Sequence, residues 1–326
     1  MKYENFDSAI QRLEAGIPNT NESGIFGANL NPDECKIVLL SAPWDGTASY
    51  HKGTAQGPKA ICEASHQLDY EDPCFGAIYK KGIAHIPPTE QLKDLCQNKP
   101  STVEEVNKQS NAISDEIYQQ CMEWLNRGKK VGLIGGEHSV SLGAIKAVAE
   151  HTRNDFSILH IDAHFDLRDA YEGYQESHAS VMFNAKQSIP QITRIVHVGI
   201  RDYSHSELQM TQEDTNYHKV FLDREIYGKK ANGTSFSKIA TEICDSLSNN
   251  IYISFDIDGL EPSLCPNTGT PVPGGLNFHE CNYILETLHI MQKNVLGFDL
   301  VEVAPGANDW DANVGARVLY KLCGLV

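Results

Sequence analysis

Residues 156–166 read FSILHIDAHFD. The first part is an unbroken apolar run, and it closes on Asp162, His164 and Asp166. Continuous apolar runs of this length read as strands covered on both faces. The same pattern recurs in KIVLLSA (36–42), KVGLIGG (130–136), RIVHVGI (194–200), KVFLD (219–223), IYISFDI (251–257) and VLGFDLVEV (295–303). Amphipathic stretches at 102–127, 139–151, 235–249, 278–293 and 311–323 read as helices, with Ser139 placed to cap the second. Strands alternating with helices predict an α/β fold, a mostly parallel sheet sandwiched by helices. One domain is expected over residues 1–326, with an arm or peripheral helix in 1–35 and the core in 36–326.

Sites in such sheets form at the carboxyl ends of strands. Asp162, His164 and Asp166 fall there at i, i+2 and i+4, so in extended chain they leave one face. Asp256 and Asp258, in SFDIDGLEP, repeat the spacing. His138 follows Gly135 and Gly136 in GGEHS, a turn that permits close backbone approach. Four carboxylates and two imidazoles packed together repel one another unless cations sit among them. Two divalent ions balance four negative charges, and bridging carboxylates would let six residues serve both. Oxygen-rich ligation without thiolate favours Mn²⁺, with Zn, Co, Ni and Fe still open.

The chain has 326 residues with 27 Lys and Arg against 43 Asp and Glu, a formal net charge of −16. That balance argues against a nucleic-acid partner and against an anionic membrane surface. No apolar run reaches membrane-spanning length, and MKYENFDSAIQRLEAG is not a secretory signal, so a cytoplasmic setting is expected. The nine cysteines are odd in number and widely spaced, which suits reduced thiols. GLIGGE (132–137) lacks dinucleotide-binding spacing, and neither a P-loop nor a G-x-S-x-G elbow occurs. His51, His66, His85, His151 and His289 read as packing or surface residues. TGTPVPGG (268–275) is either a structural turn or a rigid pocket rim.

GGEHS, HIDAHFDLRDAYEG, SHAS, SFDIDGLEPSLCPNTGTPVPGGL and DLVEVAP together resemble the ureohydrolases, the arginase and agmatinase family. The resemblance runs from SAPWDGTASYHKGTAQGPKAI near residue 41 to the carboxyl terminus. It implies a three-layer α/β/α fold around an eight-stranded parallel sheet and a pair of Mn²⁺ ions. On this chain it gives His138, Asp162, Asp166 and Asp256 to one ion. It gives His164, Asp162, Asp256 and Asp258 to the other. Asp162 and Asp256 would bridge. It further implies that a hydroxide bridging the metals attacks a guanidinium carbon and releases urea. Asp166 would orient the hydroxide, Glu302 would pair with the guanidinium, and His178 would pass a proton to the departing amine. Many members carry Gly where this chain has Ala179. A homo-oligomer, trimer or hexamer, is expected by the same analogy.

The loop DLRDAYEGYQES (166–177) joins Asp166 to His178 and should border the pocket. Its Asp169, Glu172 and Glu176 outnumber Arg168, and an acidic rim suits a ligand with a positive far end. The substrate expected is agmatine, a small cationic guanidino compound, cleaved to putrescine and urea. Arginine, guanidinobutyrate, formimidoylglutamate and guanidine are rivals. Anionic tails would want a basic residue, and only Arg168 and Arg201 offer one. A remoter alternative is a metal-dependent deacetylase using one zinc. That class lacks the GGEHS ligand, so His138 discriminates. A non-catalytic metal scaffold finds no support, because every matched residue is present.

Overall fold

A computed structural model describes residues 3–17 and 24–326. Eight strands form the main sheet: β1 (Ile37–Ala42), β2 (Ile83–Ile86), β3 (Lys130–Gly135), β4 (Phe156–Ile161), β5 (Ile192–Ile200), β6 (His218–Leu222), β7 (Asn250–Asp256) and β8 (Asn294–Val301). Their spatial order is β2-β1-β3-β8-β7-β4-β5-β6, and every pairing is parallel. The residue patterns pick out seven of these strands. The eighth, Ile83–Ile86, is a four-residue edge strand, too short to make a distinctive apolar run.

The continuous runs have a simple cause. On β7, Ile251, Ile253 and Phe255 pack into one apolar cluster, and Tyr252 into the other. Ile158 on β4 lies on the Tyr252 side, and Leu159 and Ile161 on the opposite side. Both faces are dry, so no polar residue is called for at alternate positions. A fully buried Ile or Leu here contributes about 1.5–3 kcal/mol. Helices α2 (Gly57–Ala64), α8 (Asp223–Ala231), α9 (Phe236–Asp245), α10 (Phe278–Ile290) and α11 (Trp310–Leu325) cover one face. The other is covered by α3 (Glu90–Gln97), α4 (Val103–Asn126), α5 (Ser141–Thr152), α6 (Val181–Ser188) and α7 (His205–Glu213). The result is three layers.

Helix α4 starts at a capping box, Thr102 with Glu105. The expected Ser139 cap does not form. A 3-10 turn, His138–Val140, precedes α5, and the Ser139 hydroxyl donates instead to Glu137 Oε1 at 2.8 Å. In the amino-terminal region, α1 (Phe6–Glu14) buries Ala9 and Leu13 beside Leu30, Cys35 and Ala84. Residues 1, 2 and 18–23 of the expected arm lie outside the described residues. All nine cysteines are free thiols. No described helix is long and apolar enough to cross a membrane.

Candidate metal centre

The carboxyl ends of the four middle strands, β3, β8, β7 and β4, deliver the site. His138 follows β3, Glu302 follows β8, Asp256 and Asp258 lie at the end of β7, and Asp162, His164 and Asp166 follow β4. His138, Asp162, Asp166, Asp256, Asp258 and Glu302 are each at most 5% exposed.

The six residues expected to hold metal do come together, but not by the extended spacing that suggested it. β4 stops at Ile161, and Asp166 has φ +54. Asp258 sits in a 3-10 turn, Ile257–Gly259, whose start is capped when Asp256 Oδ1 accepts from the Asp258 amide at 2.8 Å. Short turns, rather than strand pitch, aim these carboxylates inward. Left-handed backbone at a non-glycine residue carries strain of about 1–3 kcal/mol. Glu302, at φ +63, carries the same strain. Its neighbours hold it there: its amide donates to Gly136 O at 2.7 Å, and Thr268 Oγ1 donates to its carbonyl at 2.8 Å. At Gly136 a Cβ would stand 2.0 Å from the Trp44 carbonyl oxygen, so this turn admits only glycine.

His138 Nδ1 faces three carboxylate oxygens: Asp166 Oδ2 at 2.9 Å, Asp162 Oδ2 at 3.1 Å and Asp256 Oδ2 at 3.5 Å. His164 Nδ1 lies 3.2 Å from Asp258 Oδ2 and 3.3 Å from Asp162 Oδ1. The tautomer of His138 can be read from its far side. Ser254 Oγ donates to Asp299 at 3.0 Å, so it accepts from His138 Nε2 at 2.9 Å. Nε2 therefore bears the hydrogen, and Nδ1 presents a lone pair. Among the described residues, His138 Nδ1 and Asp166 Oδ2 are buried without a hydrogen-bond partner. Two lone pairs 2.9 Å apart call for a cation between them.

The charges say the same. Burial, with Asp162 alongside, pushes Asp166 up to about 6. Burial together with Asp258 and Asp162 holds Asp256 well above the carboxylate range. Burial alone would lower His138 and His164, but the surrounding aspartates raise both well above the usual imidazole range. A cluster that draws in protons this strongly is a cluster built for positive charge. Bonds of about 2.0–2.2 Å to one ion place adjacent ligand atoms about 3 Å apart, close to the spacings here. Among the described residues, two groups are tight enough to hold a metal ion: His138, His160, Asp162 and Asp166, and Asp162, His164 and Asp258, with Asp256 in neither. Only Asp162 belongs to both.

Glu302 Oε1 accepts from the His138 amide at 2.9 Å, which leaves Oε2 for another partner. A Cβ at Gly269 would stand 2.9 Å from that oxygen, and its absence keeps Oε2 clear. His178 opens a 3-10 turn before α6. Its amide donates to Thr47 Oγ1 at 3.0 Å, and its Nε2 lies 3.2 Å from Ser49 Oγ. Burial, with His164 alongside, lowers His178 to about 4. The sequence reading relied on an ordinary near-neutral imidazole, whereas here the ring is neutral at pH 7 and rests as a base.

A cavity of about 360 Å³ opens over these groups, lined in part by His164, Asp166, His178, Asp202, Tyr203 and Thr270. Pro271 and Val272 also line it, so TGTPVPGG is a pocket rim. The acidic rim differs from the expectation. Asp169, Glu172 and Glu176 do not line the cavity. Glu176 turns toward Lys146, 3.8 Å away. The acid at the mouth is exposed Asp202, which has no ion-pair partner among the described residues. Both basic residues already have partners, although Arg168 also lines the cavity. Arg168 Nε binds Glu207 Oε2 at 2.9 Å. The Arg201 guanidinium donates to the carbonyls of Gly199, Asp258, Leu260 and Val272.

Several supporting residues went unread in the sequence. Glu137 sits inside GGEHS and accepts from Thr47 Oγ1 at 2.7 Å. Burial raises Glu137 to about 7. His160 donates toward Asp162 Oδ2 at 2.9 Å. Period-two parity could have found it, because His160 and Asp162 share a face.

A sequence model described as the Arginase family matches residues 35–324. The chain is 31% identical over 304 residues to an N(1)-aminopropylagmatine ureohydrolase of Thermus thermophilus, covering 92% of this chain and 94% of that one. It is 29% identical over 281 residues to an agmatinase of Halalkalibacterium halodurans, covering 84% and 86%. Among solved structures, the agmatine ureohydrolase of Thermoplasma volcanium superposes with a TM-score of 0.73 at 26% identity, over 90% of this chain and 91% of that one.

Proposed function

Because the chain belongs to the arginase family, whose members are hydrolases of guanidino C–N bonds, we propose that it cleaves urea from a small guanidino amine, with agmatine yielding putrescine. The observation that carries the substrate choice is at the mouth of the cavity. Asp202 is an unpaired acid, while Arg168, which also lines the cavity, is charge-paired with Glu207 and Arg201 donates to carbonyls, so the mouth offers a cationic tail an unpaired partner and an anionic tail only an arginine already paired. The aminopropyl-bearing relatives of agmatine form a second reading, favoured by the likeness to the Thermus enzyme and by the exposure of Asp202. The family match over residues 35–324 supports a catalytic core over 36–326, and free thiols suit a cytoplasmic, reducing setting.

His138, Asp162, Asp166 and Asp256 are assigned to one Mn²⁺, and His164, Asp162, Asp256 and Asp258 to the other. Bound there, the pair would supply the Lewis acidity that makes water nucleophilic near neutral pH. With Asp166 Oδ2 turned to the metal beside His138 Nδ1, its Oδ1 accepts a hydrogen bond from the attacking water and orients it. Glu302 Oε2 takes the N–H fork of the guanidinium and fixes the plane of attack. His178, neutral at rest and steadied by Thr47 and Ser49, takes up a proton and hands it to the departing amine.

Urea release is to be measured from Mn²⁺-loaded protein with agmatine, N(1)-aminopropylagmatine, arginine, guanidinobutyrate, formimidoylglutamate and guanidine. A cationic amine should lead arginine in kcat/KM by about tenfold, the combined scale of an exposed acid attracting one tail and repelling the other. Equal efficiency on arginine would sink the substrate reading. Asp202→Asn should raise KM for the cationic amine about two- to fivefold with kcat held, as suits an exposed ion pair. An unmoved KM would place the tail elsewhere.

A further inference from the structure

A row of buried rings runs from Asp162 away from the cavity. His160 Nε2 is 2.9 Å from Asp162 Oδ2, and its Nδ1 is 3.0 Å from His197 Nδ1. His197 Nε2 is 3.1 Å from His218 Nδ1, and His218 Nε2 is 3.1 Å from Lys186 Nζ. The rings come from three neighbouring strands, β4, β5 and β6, and each is at most 2% exposed. His160 and His197 are direct register partners. Lys186, on α6, pairs with Asp214 Oδ2 at 3.0 Å and lies over the Tyr217 ring face at 4.5 Å.

The donor inventory gives this row a direction. An ammonium donates and cannot accept. His218 Nε2 must therefore accept, which puts the hydrogen on His218 Nδ1. That hydrogen goes to His197 Nε2, so His197 carries its own on Nδ1. His197 in turn donates to His160 Nδ1, and His160 is left with its hydrogen on Nε2, aimed at Asp162. We propose that Lys186 sets the tautomers of His218, His197 and His160 in sequence, making His160 an obligate donor to Asp162 and a positioning residue, not a metal ligand. The proposal rests on the assignment of Asp162 as a shared ligand.

The reverse arrangement exposes its own fault. Were His160 to offer Nε2 to a metal, its hydrogen would move to Nδ1, and the whole row would invert. His218 Nε2–H would then face the Lys186 ammonium at 3.1 Å, donor against donor. Neutral rings are what the relay needs. Burial holds His197 well below the usual imidazole range, and burial with Lys186 lowers His218 to about 4. A fixed donor on Asp162 Oδ2 leaves that carboxylate one rotation and commits its remaining lone pairs to the cavity side.

The test is imidazole ¹⁵N NMR on the full chain, metal-free and loaded with diamagnetic Zn²⁺, paired with Zn²⁺ titration. Hydrogens are expected on His160 Nε2, His197 Nδ1 and His218 Nδ1 in both states. Lys186→Met should mix the tautomers along the row and weaken Zn²⁺ binding about tenfold, the low end for partners of metal ligands. Lys186→Arg, which keeps an obligate donor, should restore both. Hydrogen on His160 Nδ1 in the Zn²⁺ form, or a Lys186→Met protein with unaltered tautomers and affinity, would overturn the relay. Should the protein take up no Zn²⁺, the ligand assignment of Asp162 falls. The metal-free spectra of the wild type and Lys186→Met then decide the relay on their own.

Discussion

Asp162→Ala is expected to yield protein that holds no divalent metal after gel filtration and releases no urea above background. Asp162 is assigned to both ions, as is Asp256, and among the described residues it alone falls in both clusters tight enough to hold a metal. Its Oδ1 accepts from the His164 amide at 2.6 Å, and its Oδ2 faces His138 Nδ1 at 3.1 Å. Removing it takes away one of the two assigned bridges and a quarter of the charge that offsets two divalent ions. It also strands the His160 N–H in a dry interior, at about 1–3 kcal/mol. Asp162→Asn separates ligation from folding, because it keeps the shape and the acceptor for His160. Elemental analysis and thermal unfolding of both variants give the answer. Two ions per chain with wild-type turnover in Asp162→Ala would end the ligand assignment.

His178→Asn should slow turnover about 10²–10⁴-fold, the range for losing a positioned acid–base group, while metal content stays at the wild-type level. The asparagine keeps the backbone donation to Thr47 Oγ1, so the turn before α6 has no cause to move. Thr47 in turn keeps Glu137 Oε1 as its acceptor at 2.7 Å. Single-turnover rates at saturating agmatine isolate the chemical step. If metal drops out with His178, the ring is a support of the centre and not a proton carrier.

The fold was legible because burial on both faces leaves a mark in the sequence that no other arrangement of strands leaves. Runs such as FSILHI and NIYISFD carry it, and the short edge strand Ile83–Ile86 does not. The convergence of Asp162, Asp166, Asp256, Asp258, His138 and His164 was legible from position at strand ends. Its cause was misread, since turns and not strand pitch aim the aspartates. What composition could not reveal was commitment. Arg168 and Arg201 look like anion receptors until Glu207 and four carbonyls are seen to occupy them. Likewise Asp169, Glu172 and Glu176 look like a rim until loop geometry carries them off the cavity and leaves Asp202, from the segment after β5, in their place. The histidine row escaped notice because its members lie far apart in the chain and meet only through strand order.

Asp166 and Glu302 both sit on left-handed backbone, a conformation that glycine adopts freely. Heat tolerance and chemistry therefore select in opposite directions at these two positions. A library of variants screened for survival at high temperature alone would drift toward glycine at both. It would return sturdier, inert molecules, and only a screen that also demands turnover would keep the acids in place.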